Sequence, residues 1–413
     1  IGKAFLDGRK LPECFFYTYE TPDIPPVTLL GIPVRGAVGY GKEYQLTLTG
    51  FEEESGKTIK DMTFPLKTTP EKKEATGYEE HDAVALQAAR EGMVLLKNEG
   101  KILPLKPGSV LNLFGEGVAN YRCSAVGAGR INPRYCPSLC KAVRQYSSFT
   151  VNPALEQFYV VPTNALPEEN ILKEAKDLND TAIILITRGT GENIDNQPTQ
   201  GEYYLSKDEE ALLDGVCRVF EKVVVVLNTG FPIEMEWLKR YPVGAVLYIG
   251  LAGQASGRAF VEILEGKVNP SGRLTDSWTW DYFDYPSSAN FYYPPDGKPV
   301  LADDAVWADT FYEEGIYVGY RYFETFRKPV AFPFGHGLSY TSFNSQLADM
   351  KKQEEKLIFR VLVKNTGDRK GRESVLLYVK LPETLQEQPI KQLAAFEKTE
   401  ELAPLGCEEL RLT

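Results

Sequence analysis

The feature that most constrains this chain is a switch between two periodicities along residues 79–290. Apolar runs rich in β-branched residues occur at Val110 to Phe114, Ala182 to Ile186, Val223 to Leu227 and Ala245 to Ile249. Helical patterns separate them at Glu169 to Leu178, Lys207 to Phe220 and Ala255 to Leu264. A short run with no alternating polar face reads as a strand buried on both sides, and such strands alternating with helices predict a mostly parallel sheet covered on both faces. Ahead of them a helical pattern begins at His81, with Ala85, Ala88, Ala89 and Met93 expected on one face. Gly92 then precedes a short apolar segment, Val94 to Leu96, where this helix is expected to pack close to the sheet.

On either side the period falls to two. Lys42 to Phe51 alternates Tyr44, Leu46 and Leu48 against polar neighbours, a charged turn follows, and alternation resumes at Met62. This predicts a hairpin in a β-rich module over 1–73, whose pattern resembles the second half of an immunoglobulin-like module. Thr69 to Glu80, charged and aperiodic, reads as the linker. Trp278 to Pro333 is rich in Tyr, Pro and Asp, so 291–335 reads as a connecting segment laid over the surface. From 336 to 413 alternation returns in LIFRVLVKNTGD and SVLLYVKLP, with Asn365 to Gly367 expected to turn a hairpin, and a second β-sandwich is predicted.

Composition narrows the function classes. A chain of 413 residues is too long for one core. Its formal charge of −11 and pI near 5.1 leave no basic stripe for phosphates, so neither nucleic acid nor an anionic membrane is an expected partner. No window approaches the roughly 18 apolar residues of a membrane span. A neutral ligand fits better, and 23 tyrosines and 21 phenylalanines agree with sugar stacking, although most must be core. Six cysteines over this length make no disulfide framework, and Cys123, Cys136 and Cys140 lack a fourth ligand at metal spacing. No metal and no cofactor are therefore expected, and the cysteines should be dispensable. The two histidines are His81 and His336; the latter, framed by glycines in FPFGHGLSYTSF, reads as a turn residue satisfied by backbone. The chain opens at Ile1 without an initiator methionine, so its natural start is expected to have been removed or to lie upstream. The compartment is left open, with the cytoplasm placed ahead of secretion.

The chemistry concentrates after the Ala182 run, where the chain breaks at Gly189 and Gly191 and presents Glu192. An open α/β sheet places its ligands at the carboxyl ends of its strands, which is where this loop falls. A carboxyl half-shielded by substrate can keep its proton near neutral pH and act as a general acid. A solvated loop glutamate would give the same spacing.

Five stretches decide between these readings: EGMVLLKNEGKILPL (Glu91 to Leu105), NPSGRLTDSW (Asn269 to Trp278), EEGIYVGYRYFE (Glu313 to Glu324), FPFGHGLSYTSF (Phe332 to Phe343) and KNTGDRKGRESVLLYV (Lys364 to Val379). In that order they resemble the α/β-sandwich and fibronectin-III-like domains of glycoside hydrolase family 3, the β-glucosidases and β-xylosidases. The family's acid/base loop runs R-x-S-G-E-G-x-D-R and then G-D/E-Y-Y-L-S; here stand Arg188 to Asn196 and Gly201 to Ser206. By this resemblance Glu192 is the general acid/base, and Arg188 and Asp195 support the loop or bind substrate. Asn193 replaces a glycine and Asn196 an arginine, which bears on substrate preference. The resemblance implies the fold class α/β sandwich with a mostly parallel sheet, flanked by the N-terminal immunoglobulin-like module and a C-terminal fibronectin-III-like sandwich.

The same resemblance implies retaining hydrolysis of terminal non-reducing β-D-glucosyl residues, with a β-xylosidase or a non-catalytic carbohydrate-binding scaffold as alternatives. Retention needs a second carboxyl roughly 5 to 5.5 Å away. In the family it is an aspartate on a (β/α)₈ barrel, and neither its motif nor eight barrel repeats occur in this sequence. Asp276 belongs to the sandwich's own NPSGRLTDSW pattern and reads as a turn residue. The chain alone is therefore expected to be inactive. The last domain is expected to need one or two closing strands beyond Cys407 to Thr413, after a strand pair formed by LAAFEKTEELAPLGCEELRLT. The expected partners are a β-glucoside or oligosaccharide and a barrel, C-terminal in a domain-permuted bacterial precursor or on a second chain; homo-oligomerisation stays open.

Overall fold

The computed structural model describes residues 3–11, 15–21, 24–31, 42–51, 58, 60–67, 77–191, 196–289, 312–382 and 387–413. The chain divides into two compact units, residues 1–79 and 80–413.

The first unit is all β. Strands β1 (Lys3–Leu6), β2 (Arg9–Lys10), β5 (Glu43–Thr49) and β6 (Met62–Lys67) form an antiparallel sheet in the order β2-β1-β5-β6, and β3 (Phe15–Thr21) pairs with β4 (Ile24–Gly31) separately. The alternation that predicted a hairpin puts Leu48 into a small core with Ala4, Leu6, Leu11 and Phe51, and Tyr44 and Leu46 pack on its margin. Most of the expected linker and of the charged turn lies outside the described residues.

In the second unit, α1 (Glu79–Gly92) leads into a sheet built from β7 (Val94–Asn98), β8 (Val110–Phe114), β9 (Thr150–Val151), β10 (Thr181–Thr187), β11 (Lys222–Asn228) and β12 (Ala245–Tyr248). Their order is β7-β12-β11-β10-β8-β9, and every neighbour pair is parallel except β12 with β7. All seven residues of β10 are buried, which is why its sequence shows no polar face. Between strands lie α2 (Leu139–Tyr146), α3 (Pro153–Phe158), α4 (Glu169–Leu178), α5 (Lys207–Val219), α6 (Trp237–Arg240) and α7 (Ser256–Leu264). Helices α3, α4 and α5 pack as one group and α2 and α7 as another.

One local expectation is corrected here. The buried face of α1 is Leu86 and Ala89, continued by Met93, while Ala88 is exposed, because it lies roughly 100° round the helix from Ala89. The Val94 to Leu96 segment, expected beside the sheet, lies in its edge strand β7, running antiparallel to β12.

After the sheet, α8 (Tyr320–Thr325) occupies part of the EEGIYVGYRYFE stretch. Among the described residues five strands follow: β13 (Phe343–Gln353), β14 (Lys356–Asn365), β15 (Ser374–Val379), β16 (Gln392–Lys398) and β17 (Cys407–Leu412). They form one sheet, β13-β14-β17, and one pair, β15-β16, both antiparallel, around Val361, Val363, Leu402, Leu410 and Leu412. Asn365 to Gly367 therefore does not turn a hairpin between β14 and β15, which lie in different sheets. The fully buried Asn365 holds the departing chain instead: its amide donates to the carbonyls of Arg369 (2.7 Å) and Leu402 (2.9 Å) and its oxygen accepts from Thr341 Oγ1 (2.9 Å) and Gly367 N (3.1 Å). Likewise β16 and β17, expected as one strand pair, lie in separate sheets.

These strands are tied to the α/β part by polar contacts. His336 Nε2 lies 2.8 Å from the Leu96 carbonyl, a turn histidine satisfied by backbone, and burial lowers its pKa. Arg273 pairs with Glu373 at 2.8 Å, and Tyr340 donates to the Ile263 carbonyl at 3.0 Å. No helix among the described residues is long and apolar enough to cross a membrane.

Candidate active-site face

The carboxyl ends of β8, β10, β11 and β12 are stitched together by a few buried polar groups. Asn228, the last residue of β11 and fully buried, accepts from Arg122 N (2.8 Å) and donates to the carbonyls of Arg122 (2.9 Å) and Gly250 (2.7 Å). Its own carbonyl accepts from Arg188 N (3.2 Å). One side chain thus holds the segment after β8 and the segment after β12, and its backbone holds the segment after β10. At β8, Gly115 is required: its φ is 92°, and a Cβ there would lie 2.7 Å from the Leu185 carbonyl oxygen.

Arg188 starts the loop that follows β10 and is 5% exposed. Its guanidinium grips both carboxylate oxygens of Glu209 (2.5 and 2.7 Å) and donates to the carbonyls of Thr187 (2.9 Å), Glu202 (2.7 Å) and Tyr204 (3.3 Å). A guanidinium offers five N–H donors, so these bonds account for all of them within the protein. Glu209 is supplied by α5, where it also completes a capping box with Ser206. The Ser206–Glu209 spacing is a legible sequence signal, but the pairing of Glu209 with Arg188 is tertiary and had none.

The next residues rest on a second segment. Val126 N donates to the Thr190 carbonyl at 2.7 Å, and Val126 and Gly191 form a parallel bridge. A Cβ on Gly191 would stand 2.5 Å from the Val126 carbonyl oxygen, so the close approach requires glycine. Glu192, Asn193, Ile194 and Asp195 lie outside the described residues. The far shoulder is anchored again: Asn196 Nδ2 donates to the Pro232 carbonyl (3.0 Å), and Gln197 N to Glu202 Oε2 (3.0 Å). Beneath it Tyr204 donates to Asp281 (2.8 Å), while burial raises the pKa of Glu234 against the pull of the Leu205 amide and of Arg240. Arg122, missed in the sequence, faces Gly189. Asp276 accepts from the Trp278 indole at 3.1 Å, a local tie. Among the described residues no group of three His, Cys, Asp or Glu could hold a metal ion.

Residues 93–320 match the glycosyl hydrolase family 3 C-terminal domain. The chain belongs to glycoside hydrolase family 3. Among curated relatives, the β-glucosidase A of Butyrivibrio fibrisolvens is 32% identical over 388 residues, covering 80% of this chain and 45% of that protein. The thermostable β-glucosidase B of Acetivibrio thermocellus is 34% identical over 334 residues, covering 79% and 42%. Among solved structures, β-glucosidase 3B of Thermotoga neapolitana, in complex with glucose, superposes with a TM-score of 0.73 at 34% identity, covering 81% of this chain and 48% of that one. A β-glucosidase from Paenibacillus barengoltzii gives 0.74 at 33%, covering 82% and 38%. This family 3 chain spans less than half the length of these relatives.

Proposed function

We propose that this chain is the part of a retaining family 3 β-glycosidase that supplies the general acid/base, Glu192, for hydrolysis of terminal β-D-glucosyl residues. The observation that carries the reading is the double anchoring of the loop. Arg188 spends every donor on the protein, Gly191 is bridged to Val126, and Asn196 is tied to Pro232, so the described residues on either side of Glu192 are held at the carboxyl end of β10. A catalytic carboxyl needs such a platform, because proton transfer requires hydrogen-bond reach to the leaving oxygen. Arg188 is assigned to support of the loop, and Asp195 to support or substrate contact.

The nucleophile is assigned to an aspartate of a (β/α)₈ barrel, in the same precursor or on a second chain; relatives of which this chain covers 42–45% leave room for it. On this reading residues 1–73 are an immunoglobulin-like module, 79–290 the α/β sandwich, 291–335 the connection and 336–413 a fibronectin-III-like sandwich, in a permuted member. Glucose is preferred over xylose as the sugar because the relatives of widest coverage are named β-glucosidases. An exo-α-(1→6)-L-arabinopyranosidase of Bifidobacterium longum is also similar, 30% identical over 77% of this chain, so the family fold admits other glycones.

The test is Glu192→Gln in the complete enzyme, assayed on glycosides of graded leaving-group pKa. Poor leaving groups should lose on the order of 10²–10⁴-fold in kcat, activated aryl glycosides much less, with partial rescue by azide. A uniform loss with no azide effect would remove Glu192 from the acid/base role.

A further inference from the structure

A cavity of about 470 Å³ opens where α1, the segment after α7 and the β14–β15 and β16–β17 connections meet. That volume falls in the range of roughly 300–1,000 Å³ in which small-molecule sites lie. None of its lining residues is among those that anchor the loop after β10. It is polar almost throughout, with Val268 the one apolar side chain among its described lining residues. Its charges are already matched. Glu262 holds Arg90 at 2.6 Å and Arg258 at 2.9 Å, Glu91 holds Lys398 at 2.8 Å and Glu401 holds Lys370 at 2.9 Å. Lys267 reaches Glu265 at 2.6 Å, and Arg372 reaches Glu400 at 3.2 Å. Two donors are left over. Ser271 is 3% exposed, and its hydroxyl has no hydrogen-bond partner among the described residues. Arg90 spends Nε and Nη2 on Glu262 and leaves Nη1 without a described partner. A buried hydroxyl left unpaired carries its desolvation penalty uncompensated, so such a group marks where water or a ligand binds.

We propose that this cavity binds a neutral mono- or disaccharide. An ionic ligand would have to displace a partner from a matched pair. A sugar hydroxyl donates and accepts at once, so it can bridge the cation and the carboxylate of one pair without breaking it. Ion pairs set around Ser271 and Arg90 Nη1 therefore match a ring of adjacent hydroxyls. No aromatic side chain lines the cavity to stack on a sugar face, so affinity rests on hydrogen bonds of modest net worth and is expected in the millimolar range. A sugar seated there touches α1, the segment after α7 and both connections, and so holds the α/β part against the last β strands. The inference does not rest on the acid/base assignment of Glu192.

The test follows amide exchange in the full 413-residue chain as D-glucose is titrated to about 100 mM, with trimethylamine N-oxide at matched concentration as a solute excluded from protein surfaces. Peptides spanning 267–271 and 370–372 should exchange about threefold more slowly in glucose, saturably, and not in the oxide. Ser271→Ala should raise the half-saturating concentration about fivefold, as one lost hydrogen bond requires. Lys370→Met, at an exposed position, should do the same and serves if the first variant folds poorly. Glucose 6-phosphate should bind no tighter than glucose. Absence of saturable protection, protection spread over the chain as in the oxide, or protection confined to 196–204 would overturn the proposal. Tighter binding of the phosphate would also overturn it, by giving the cavity to anions. Glu192→Gln should bind glucose here as the wild type does, so this site and the acid/base assignment are decided separately.

Discussion

Arg188 shows how much a single buried cation can hold at the end of a strand. Its charge is buried with that of Glu209, at 5% and 3% side-chain exposure, and a buried ion pair stabilises only when the remaining donors are also satisfied, as they are here. Removing one partner leaves the other charge uncompensated. Arg188→Met is therefore expected to destabilise the chain by about 3–5 kcal/mol, read from the urea midpoint at unchanged slope. Replacing Glu209 as well with an apolar residue should recover much of the loss, since no lone carboxylate is left buried. A single variant within about 0.5 kcal/mol of wild type would show that the loop does not depend on the pair.

Between elements, the joint from α1 to the last β strands is ionic. Glu91 takes Lys398 at 2.8 Å and Arg372 at 3.7 Å. Burial raises the Glu91 pKa, but the Lys398 hydrogen bond and charge, with Gln87 and Arg372, outweigh it, and the net shift is downward. At Lys398 burial outweighs the Glu91 hydrogen bond and the pKa also falls. The carboxylate decides behaviour in acid, because Lys398 stays protonated there. A carboxyl whose folded pKa lies below its unfolded value stabilises fully above the unfolded value, about 4.3, and the stabilisation is lost as pH falls through the folded one. Stability should therefore drop below about pH 4 more steeply in the wild type than in Glu91→Gln. Parallel acid-unfolding curves for the two proteins would exclude this joint as the sensitive one.

For the whole molecule the consequence of the proposed function is that a second carboxyl must come from outside this chain. Retention needs two carboxyls roughly 5 to 5.5 Å apart, and the reading above assigns one to this chain. The isolated 413-residue chain is expected to release no nitrophenol from nitrophenyl β-glucoside above the uncatalysed rate, while the complete enzyme turns over and is indifferent to chelator. Turnover by the purified chain alone would move the nucleophile into it and end the barrel assignment.

The amino-acid sequence by itself determined the strand and helix alternation and the carboxyl-end position of the loop after Ile186, because burial on both faces and helical period are written in local composition. It also determined family membership, since the motifs that carry it are contiguous. It could not determine which strands pair. Asn365 to Gly367 has the composition of a hairpin turn, yet buried bonds to Leu402 and Thr341 send the chain to another sheet. Nor could it show that Arg188 would meet Glu209 or that Asn228 would stitch three segments. Those contacts join residues between 21 and 106 positions apart, and only the folded chain decides which distant groups share a desolvated space.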